Sequence, residues 1–262
     1  REIIDGVEVV RRGGFFTVYF WAMLYYIFKF QDRFDIIIDS ENGIPFFTPL
    51  YSRRPKFLLM HHVHQEVFND QLKFPMREIA KFLEGKLMPV IYRNEKVIAV
   101  SESTKIDVLK LGIFKPENVC IVNPGIDLEP LKTKVKKTEH PSLLYLGRLK
   151  EYKNIDIAIK SFAKVLKDSP NAIFNIGGEG DCEPDLKKLV SELGIEQSVN
   201  FLGRVTDEDR NKLYASSWLA IQPSSHEGWG ITVIEANFYG CPVVASDIAG
   251  LRDSVVDGKT GI

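Results

Sequence analysis

Short apolar runs alternate with longer amphipathic stretches along most of the chain. Runs rich in Ile, Val and Leu are typical of strands buried in a parallel sheet. In the first half, such runs predict strands at 34–39, 56–60, 96–100 and 119–122. The alternation of these strands with helical stretches indicates βαβ units, and therefore an α/β protein.

Two helices of the first half are predicted from residue spacing and capping. Residues 75–92 carry apolar side chains near the 3.6-residue spacing of a helix, at Ile79, Phe82, Leu83 and Leu87. We expect this face to pack on the core. A later helix is predicted to end at Leu111, with Ser101 or Ser103 as its N-cap.

Residues 15–28 form an apolar segment without a charged side chain. A membrane-spanning helix needs about 20 apolar residues, and this segment is shorter. Arg11, Arg12 and Lys29 also bracket it closely. The length favours a buried helix packed on a sheet, while the many aromatic side chains leave peripheral membrane contact open.

The chain changes character after Asp127. Residues 132–140 form a polar run with four lysines, as expected of an interdomain linker. Beyond it, strands are predicted at 142–146, 172–176, 199–202, 219–222 and 242–245, with helices at 155–167, 184–193, 207–215 and 231–239. We therefore predict a first domain at 1–127, a linker at 128–140 and a doubly wound domain at 141–262. Both domains look incomplete, as in a fragment.

Composition narrows the class of protein. The chain has 262 residues and a net charge of −1, which gives it no general affinity for nucleic acid. Cys120, Cys182 and Cys241 lie far apart, which favours reduced thiols in the cytoplasm. Between Arg53 and Lys115 the basic residues outnumber the acidic ones, which is compatible with an anionic membrane surface or a lipid-linked acceptor.

A loop that leads into a helix carries two glutamates, Glu227 and Glu235. Gly228 and Gly230 let the backbone turn tightly, so that its N–H groups can approach a ligand. The N-terminal amides of the helix at 231–239 suit an anion. Carboxylates beside such a site are acceptors for the hydroxyl groups of a ribose or a hexose.

A second segment, at 147–154, places Arg148 and Lys153 after a predicted strand. A guanidinium and an ammonium five residues apart can hold a diphosphate and stabilise charge on a leaving phosphate. Cations at the start of a helix are unfavourable without an anion, which favours a binding role over a solvated surface.

These two segments resemble the motifs of retaining glycosyltransferases of family 4, which have the GT-B fold. Glu227 and Glu235 match the E-x7-E signature of that family, and Arg148 and Lys153 match its G-R-x-x-x-x-K-G segment, with Asn154 in place of the glycine. The resemblance implies two facing Rossmann-like domains, the N-terminal one truncated at its start and the C-terminal one at its end. It also implies that Arg148 and Lys153 bind the donor diphosphate, Glu227 the sugar and Glu235 the ribose hydroxyls.

Shorter segments extend the resemblance. Gly178 lies in a glycine-rich run that resembles the family's loop against the donor, and Arg204 and Val205 resemble the segment that lines the nucleobase pocket. The same resemblance implies that the amides around Gly228, Trp229 and Gly230 contact the sugar or the diphosphate.

Three histidines follow the strand at 56–60: His61, His62 and His64. A zinc site needs further ligands at a defined spacing, and the sequence shows none, so we predict no metal site while metal binding stays an alternative. The family carries a histidine after this strand that faces sugar and acceptor, and His62 fits that register best, with His61 next. We expect His64 to be structural, and the segment 39–43 to face the acceptor.

The sequence therefore predicts a metal-independent transferase. It would move a hexose from a nucleotide diphosphate sugar to a glycan or lipid-linked acceptor with retention, using no cofactor. The catalytic set would be His62, Arg148, Lys153 and Glu227. No nucleic acid partner is expected, and the enzyme would be cytoplasmic, with membrane contact left open. Two alternatives remain, a nucleotide-sugar epimerase of the same fold and a nucleotide-sugar-binding module without transfer activity.

Overall fold

The structure, a computed structural model, describes residues 2–14 and 17–262. The chain divides into two compact units, the first ending at Val122 and the second beginning at Asn123. Each unit has its own sheet and its own buried core.

The first unit contains a four-stranded parallel sheet. An antiparallel hairpin of β1 (Glu2–Ile4) and β2 (Val7–Val9) precedes it. The sheet runs in sequence order through β3 (Ile37–Glu41), β4 (Lys56–Met60), β5 (Lys96–Ala99) and β6 (Val119–Ile121). These four strands confirm the sequence prediction, whereas the hairpin was not predicted.

Five helices of the first unit lie in the described residues. They are α1 (Val18–Tyr25), α2 (Val67–Gln71), α3 (Met76–Phe82), α4 (Met88–Ile91) and α5 (Glu102–Lys110). A π-helical turn extends α1, and a second one, Leu83–Leu87, joins α3 to α4. Ser101 is the N-cap of α5, since its side chain accepts a hydrogen bond from the Thr104 N–H at 3.1 Å.

The prediction of a buried helix at 15–28 is wrong in its burial. Phe15 and Phe16 lie outside the described residues, and no side chain of α1 is fully buried. Phe20 is 56% exposed, and Phe28, in the π-helical turn, is 77% exposed. In the part of the chain that the structure describes, no helix combines the length and the apolar character needed to cross a membrane.

The predicted core face of residues 75–92 is also wrong. Ile79 and Phe82 are exposed, whereas Ala80, Glu84 and Met88 are buried. The buried set follows an i, i+4, i+8 row of the helix. Because Glu84 is polar, a hydropathy pattern assigns it to solvent and shifts the predicted face by one residue.

The second unit is a doubly wound sheet. Its strands are β7 (Ser142–Leu146), β8 (Ile173–Gly177), β9 (Val199–Gly203), β10 (Leu219–Gln222) and β11 (Val243–Ala245), all parallel. Their order across the sheet is β11-β10-β7-β8-β9. The chain therefore moves outward from β7 and then returns to the other side of β7 at β10, which creates a topological switch point between these two strands.

Helices connect these strands at the predicted places. They are α6 (Ile155–Val165), α7 (Glu183–Glu192), α8 (Asp207–Ser216), α9 (Ile231–Phe238) and the short α10 (Leu251–Ser254). The core includes the buried Tyr145, Ile159, Phe162 and Phe174. Residues 132–140 lie along this unit, where the Lys137 ammonium donates to the carbonyls of Ser217 (2.6 Å) and Gly240 (3.1 Å).

Candidate functional site

The switch point of the second unit lies where β7 and β10 end side by side. Ligands of open parallel sheets bind outside the carboxyl ends of the strands at such a point. The loop after β7 carries Arg148 and Lys153, and the loop after β10 carries Glu227. The topology therefore brings two motifs that are distant in sequence to one edge of the sheet.

Backbone contacts hold these two loops together. The Ser225 N–H donates to the Tyr152 carbonyl at 2.8 Å, and the Asn154 amide donates to the Pro223 carbonyl at 3.1 Å. Asn154 adopts the left-handed conformation, with φ 51° and ψ 38°. Asparagine tolerates this conformation better than most residues, which explains why it can stand where the related motif has glycine.

The centre of the site is an ion pair between Lys153 and Glu227. Only 11% of the Lys153 side chain and 17% of the Glu227 side chain is exposed. Gln222 also donates from Nε2 to Glu227 Oε1 at 2.7 Å. The carboxylate is thus fixed from two sides at the end of β10, while it keeps some access to solvent.

Arg148 differs from Lys153 in being exposed. Its guanidinium donates to the Tyr152 hydroxyl at 2.7 Å and lies 6.0 Å from the centre of that ring. The Tyr145 hydroxyl donates to the Arg148 carbonyl at 2.9 Å and so anchors the backbone below it. Both cations contact Tyr152, because the Lys153 ammonium lies 5.0 Å from the ring centre.

The glycine-rich loop after β8 packs directly on the loop after β7. A Cβ atom at Gly178 would lie 1.8 Å from the Gly147 carbonyl oxygen, and one at Gly180 would lie 2.1 Å from that of Leu149. The Leu149 N–H donates to the Glu179 carbonyl at 2.9 Å. These glycines thus allow two loops of the site to lie in contact, and a donor contact by Gly178 stays a prediction.

Glu235 lies on α9, whose N-cap Gly230 has a φ of 75°. The carboxylate is 8% exposed, accepts a hydrogen bond from the Tyr214 hydroxyl at 3.3 Å and lies 3.4 Å from an Arg210 guanidinium nitrogen. Burial raises the pKa of the Glu235 carboxyl, and the Arg210 charge opposes that shift. Arg210 and Tyr214 on α8 therefore position Glu235.

The remaining donor-site residues surround these groups in different environments. Arg204 is exposed and Val205 half-buried after β9. Gly228 and Trp229 precede α9, and the Trp229 indole N–H is buried without a hydrogen-bond partner among the described residues. Their contacts with a nucleotide remain predictions.

The histidine segment lies in the first unit, at the end of β4. His61 and His62 are half-buried, and His61 Nε2 lies 3.1 Å from the Ser40 hydroxyl. Burial, with His64 nearby, lowers the pKa of His61. The catalytic role of His62 stays a prediction.

His64 is buried, and its ring centre lies 3.7 Å from that of His62. Burial alone would lower the pKa of His64, but the neighbouring carboxylates of Glu41 and Glu84 outweigh it and raise the pKa to about 9. These contacts agree with the structural role expected for His64.

The expectation that the segment 39–43 faces an acceptor is wrong for its two carboxylates. Asp39 is 2% exposed and accepts hydrogen bonds from the Phe46 N–H (2.9 Å), the Thr48 hydroxyl (2.8 Å) and the Tyr92 hydroxyl. Glu41 is fully buried. Asp39 thus stabilises the loop after β3, because a buried carboxylate needs such donors.

Sequence reasoning missed four residues of the candidate site: Tyr152, Arg210, Tyr214 and Gln222. Gln222 is the last residue of β10, and the end of a strand beside the switch point is a signal that could have identified it. Arg210 and Tyr214 lie four residues apart on α8, and nothing in their spacing indicates Glu235 as their partner.

Family models match both halves of the chain. The model described as Glycosyl transferases group 1 matches residues 129–262. The model described as Glycosyltransferase Family 4 matches residues 3–130.

Curated relatives are similar over much of the chain. An uncharacterized glycosyltransferase of Haemophilus influenzae is 31% identical over 233 residues, which are 87% of this chain and 62% of the relative. A D-inositol 3-phosphate glycosyltransferase 2 of Catenulispora acidiphila is 28% identical over 190 residues, which are 66% of this chain and 44% of the relative. The chain therefore spans less than two thirds of the length of these relatives.

Solved structures share the fold. Anabaena HepE in complex with UDP and glucose has a TM-score of 0.68 at 19% identity, with 87% of this chain and 63% of that chain covered. S. aureus TarM in complex with fondaparinux, alpha-GlcNAc-glycerol and UDP has a TM-score of 0.65 at 25% identity, with 80% and 41% covered. These neighbours and the parallel sheets confirm the predicted α/β, GT-B class of fold.

Proposed function

Because the chain belongs to the group 1 glycosyl transferases, we propose that it transfers a hexose from a nucleotide diphosphate sugar to a hydroxyl acceptor with retention of configuration. The acceptor would be a glycan or a lipid-linked saccharide. The proposal concerns the activity of the whole protein.

The observation that carries this proposal is the arrangement at the switch point. Lys153 and Glu227 form an ion pair there, and Arg148 lies on the same loop as Lys153. A cation pair beside a carboxylate suits a ligand with an anionic end and a hydroxyl-rich end. A nucleotide diphosphate sugar has both, since its diphosphate is anionic and its sugar and ribose carry hydroxyls.

Arg148 and Lys153 would neutralise the diphosphate. Cleavage of the bond between sugar and phosphate leaves negative charge on the departing phosphate, and fixed cations stabilise this charge as it forms. Lys153 can change partner from Glu227 to the phosphate, since a flexible ammonium has three rotatable donors. Donor binding by these two side chains would need no divalent metal.

The two glutamates would bind different parts of the donor. Glu227 lies beside Lys153 and would accept hydroxyls of the transferred sugar, while Glu235 on α9 would accept the ribose hydroxyl pair. The amides at Gly228, Trp229 and Gly230 would meet the sugar or the diphosphate at the start of α9.

Retention would follow from attack on the face from which the phosphate leaves. The acceptor oxygen would bond to the anomeric carbon as the bond from that carbon to the phosphate oxygen breaks. The acceptor's hydroxyl proton would pass to the departing phosphate. His62 would position the sugar through a hydrogen bond, without acting as the nucleophile.

A transfer assay with isotopically labelled nucleotide sugars tests the proposal. We expect the label to reach a hydroxyl acceptor and the product to keep the anomeric configuration of the donor. Conversion of the donor sugar without an acceptor would indicate an epimerase. Donor binding without any turnover would indicate a binding module.

A further inference from the structure

Three ionisable side chains meet in the core of the first unit, away from the switch point of the second. Glu41 ends β3, His64 follows β4, and Glu84 lies in the π-helical turn between α3 and α4. All three are buried, and one ligand atom of each lies within 4.8 Å of the other two. We call this set the Glu41–His64–Glu84 cluster.

Glu41 has no hydrogen bond that would compensate its burial. The residue is 0% exposed, and neither of its carboxylate oxygens has a hydrogen-bond partner in the described part of the chain. His64 Nδ1 lies 3.5 Å from Glu41 Oε1, which is longer than a normal N–H to O hydrogen bond. An uncompensated buried carboxylate is costly, so the site favours a cation beside Glu41.

Glu84 is held in place from the opposite side. Its Oε1 accepts the His64 backbone N–H at 2.6 Å, and its Oε2 accepts the Gln65 side-chain amide at 2.7 Å. Gln65 also donates to the Lys81 carbonyl at 3.2 Å, which fixes the amide itself. Such supporting contacts orient the carboxylate toward His64 without further rearrangement.

The distances fit a small ion. His64 Nδ1 lies 3.1 Å from Glu84 Oε1 and 3.5 Å from Glu41 Oε1. Ligands about 2.1 Å from a tetrahedral zinc ion lie about 3.4 Å from one another. A divalent cation would also balance the two carboxylates, whereas one imidazolium balances only one.

From this geometry we propose that the Glu41–His64–Glu84 cluster binds one divalent transition-metal ion, with zinc as the best match. An imidazole nitrogen with two carboxylate oxygens suits zinc better than magnesium, which prefers oxygen ligands and retained water. The ion takes the place of the His64 imidazole proton. It ties the end of β3 to the histidine segment and to the α3–α4 turn, and so fixes the loop that carries His62.

A zinc titration of the 262-residue chain by calorimetry, after treatment with chelator, tests this proposal. We expect one equivalent of Zn²⁺ to bind and to raise the Tm, and Mg²⁺ to have a much smaller effect. Glu41→Gln preserves the side-chain shape and removes one ligand, so the zinc affinity should fall about 100-fold or more. Glu66→Gln, at an exposed glutamate near the same segment, should leave it unchanged.

Zinc-edge X-ray absorption of the unmodified chain keeps the test decisive if Glu41→Gln fails to fold. One imidazole and an otherwise oxygen-based shell support the cluster. A shell with two or more imidazoles would assign the ion to the other histidines and overturn the proposal. Absence of zinc binding to the unmodified chain, or unchanged affinity in folded Glu41→Gln, would also overturn it.

Discussion

Lys153 and Glu227 lie far apart in sequence, in two segments that each point to a nucleotide sugar. The sequence could identify both residues, because each lies in a recognisable string of residue types. It could not show that they form an ion pair, because that contact depends on β7 and β10 being neighbours. The pair implies that Lys153 has two functions, which are to hold Glu227 before the donor binds and to hold the diphosphate afterwards.

The two glutamates should give different defects when their charges are removed. Glu235→Gln should weaken nucleotide binding about tenfold or more, since hydrogen bonds to charged groups contribute about 1.5–3 kcal/mol. Glu227→Gln should lower kcat more than donor affinity, because its contact is with the sugar being transferred. Calorimetry and steady-state kinetics on the same preparations separate the two effects.

A surface variant controls for general loss of charge. Glu192→Gln removes an exposed carboxylate at the end of α7, where its partner Lys188 is 3.7 Å away. It should leave both measurements unchanged. The same kinetic profile in Glu227→Gln and Glu235→Gln would refute the assignment of separate roles.

His62 should affect the chemistry without affecting the nucleotide. A positioning or proton-sharing side chain contributes about 10²–10⁴-fold to a rate, so His62→Ala should lower the transfer rate about 100-fold or more. Nucleotide affinity should barely change, because the proposed nucleotide site lies in the second unit. Transfer rates and calorimetry with a nucleoside diphosphate provide the measurements.

Two histidines serve as comparisons for His62. The exposed His140→Ala should have no effect on transfer. His64→Ala should mainly lower the free energy of unfolding, because it leaves Glu41 and Glu84 without their cation in the core. An unchanged transfer rate in folded His62→Ala would assign the role to His61 or remove it from this segment.

At the level of helices and strands, apolar runs predicted the sheets well. The predicted bounds of β4, β7 and β10 match the structure, because uninterrupted aliphatic runs end abruptly at polar or turn residues. The prediction was wrong where burial does not follow hydropathy. Glu84 is buried although it is charged, and α1 is only partly buried although it is apolar.

The glycine-rich loop after β8 gives a prediction at the level of the element. Gly180→Ala would place a Cβ 2.1 Å from the Leu149 carbonyl oxygen, so the two loops must separate. Overpacking of this kind costs about 1–3 kcal/mol. We expect a lower Tm and weaker nucleotide binding, because Arg148 and Lys153 lie on the displaced loop.

Gly125→Ala is the matched control for this substitution. A Cβ at Gly125 meets nothing within 4 Å, and Gly125, like Gly180, has no positive φ that would strain alanine. Its Tm and affinity should stay close to those of the unmodified chain. Equal behaviour of the two variants would show that contact between the loops is unimportant for the site.

For the whole molecule, the alternation of strands and helices was sufficient to predict two α/β units and the doubly wound order of the second. The antiparallel hairpin at the start of the first unit was not predictable, because β1 and β2 are three-residue strands without a strong apolar pattern. The Glu41–His64–Glu84 cluster was equally hidden. Its members come from three separate elements, and metal-ligand spacing in sequence carries no trace of them.

Calorimetry of nucleoside diphosphates against the second unit's switch point tests the central claim most directly. The unmodified 262-residue chain should bind at least one of UDP, GDP and ADP, with or without EDTA. Arg148→Ala and Lys153→Ala should each weaken that binding about tenfold or more, because each removes a charge-assisted contact. Lys160→Ala, at an exposed lysine of α6 paired with Asp156, should bind as the unmodified chain does. Unchanged affinity in both Arg148→Ala and Lys153→Ala, or a strict metal requirement, would contradict the account.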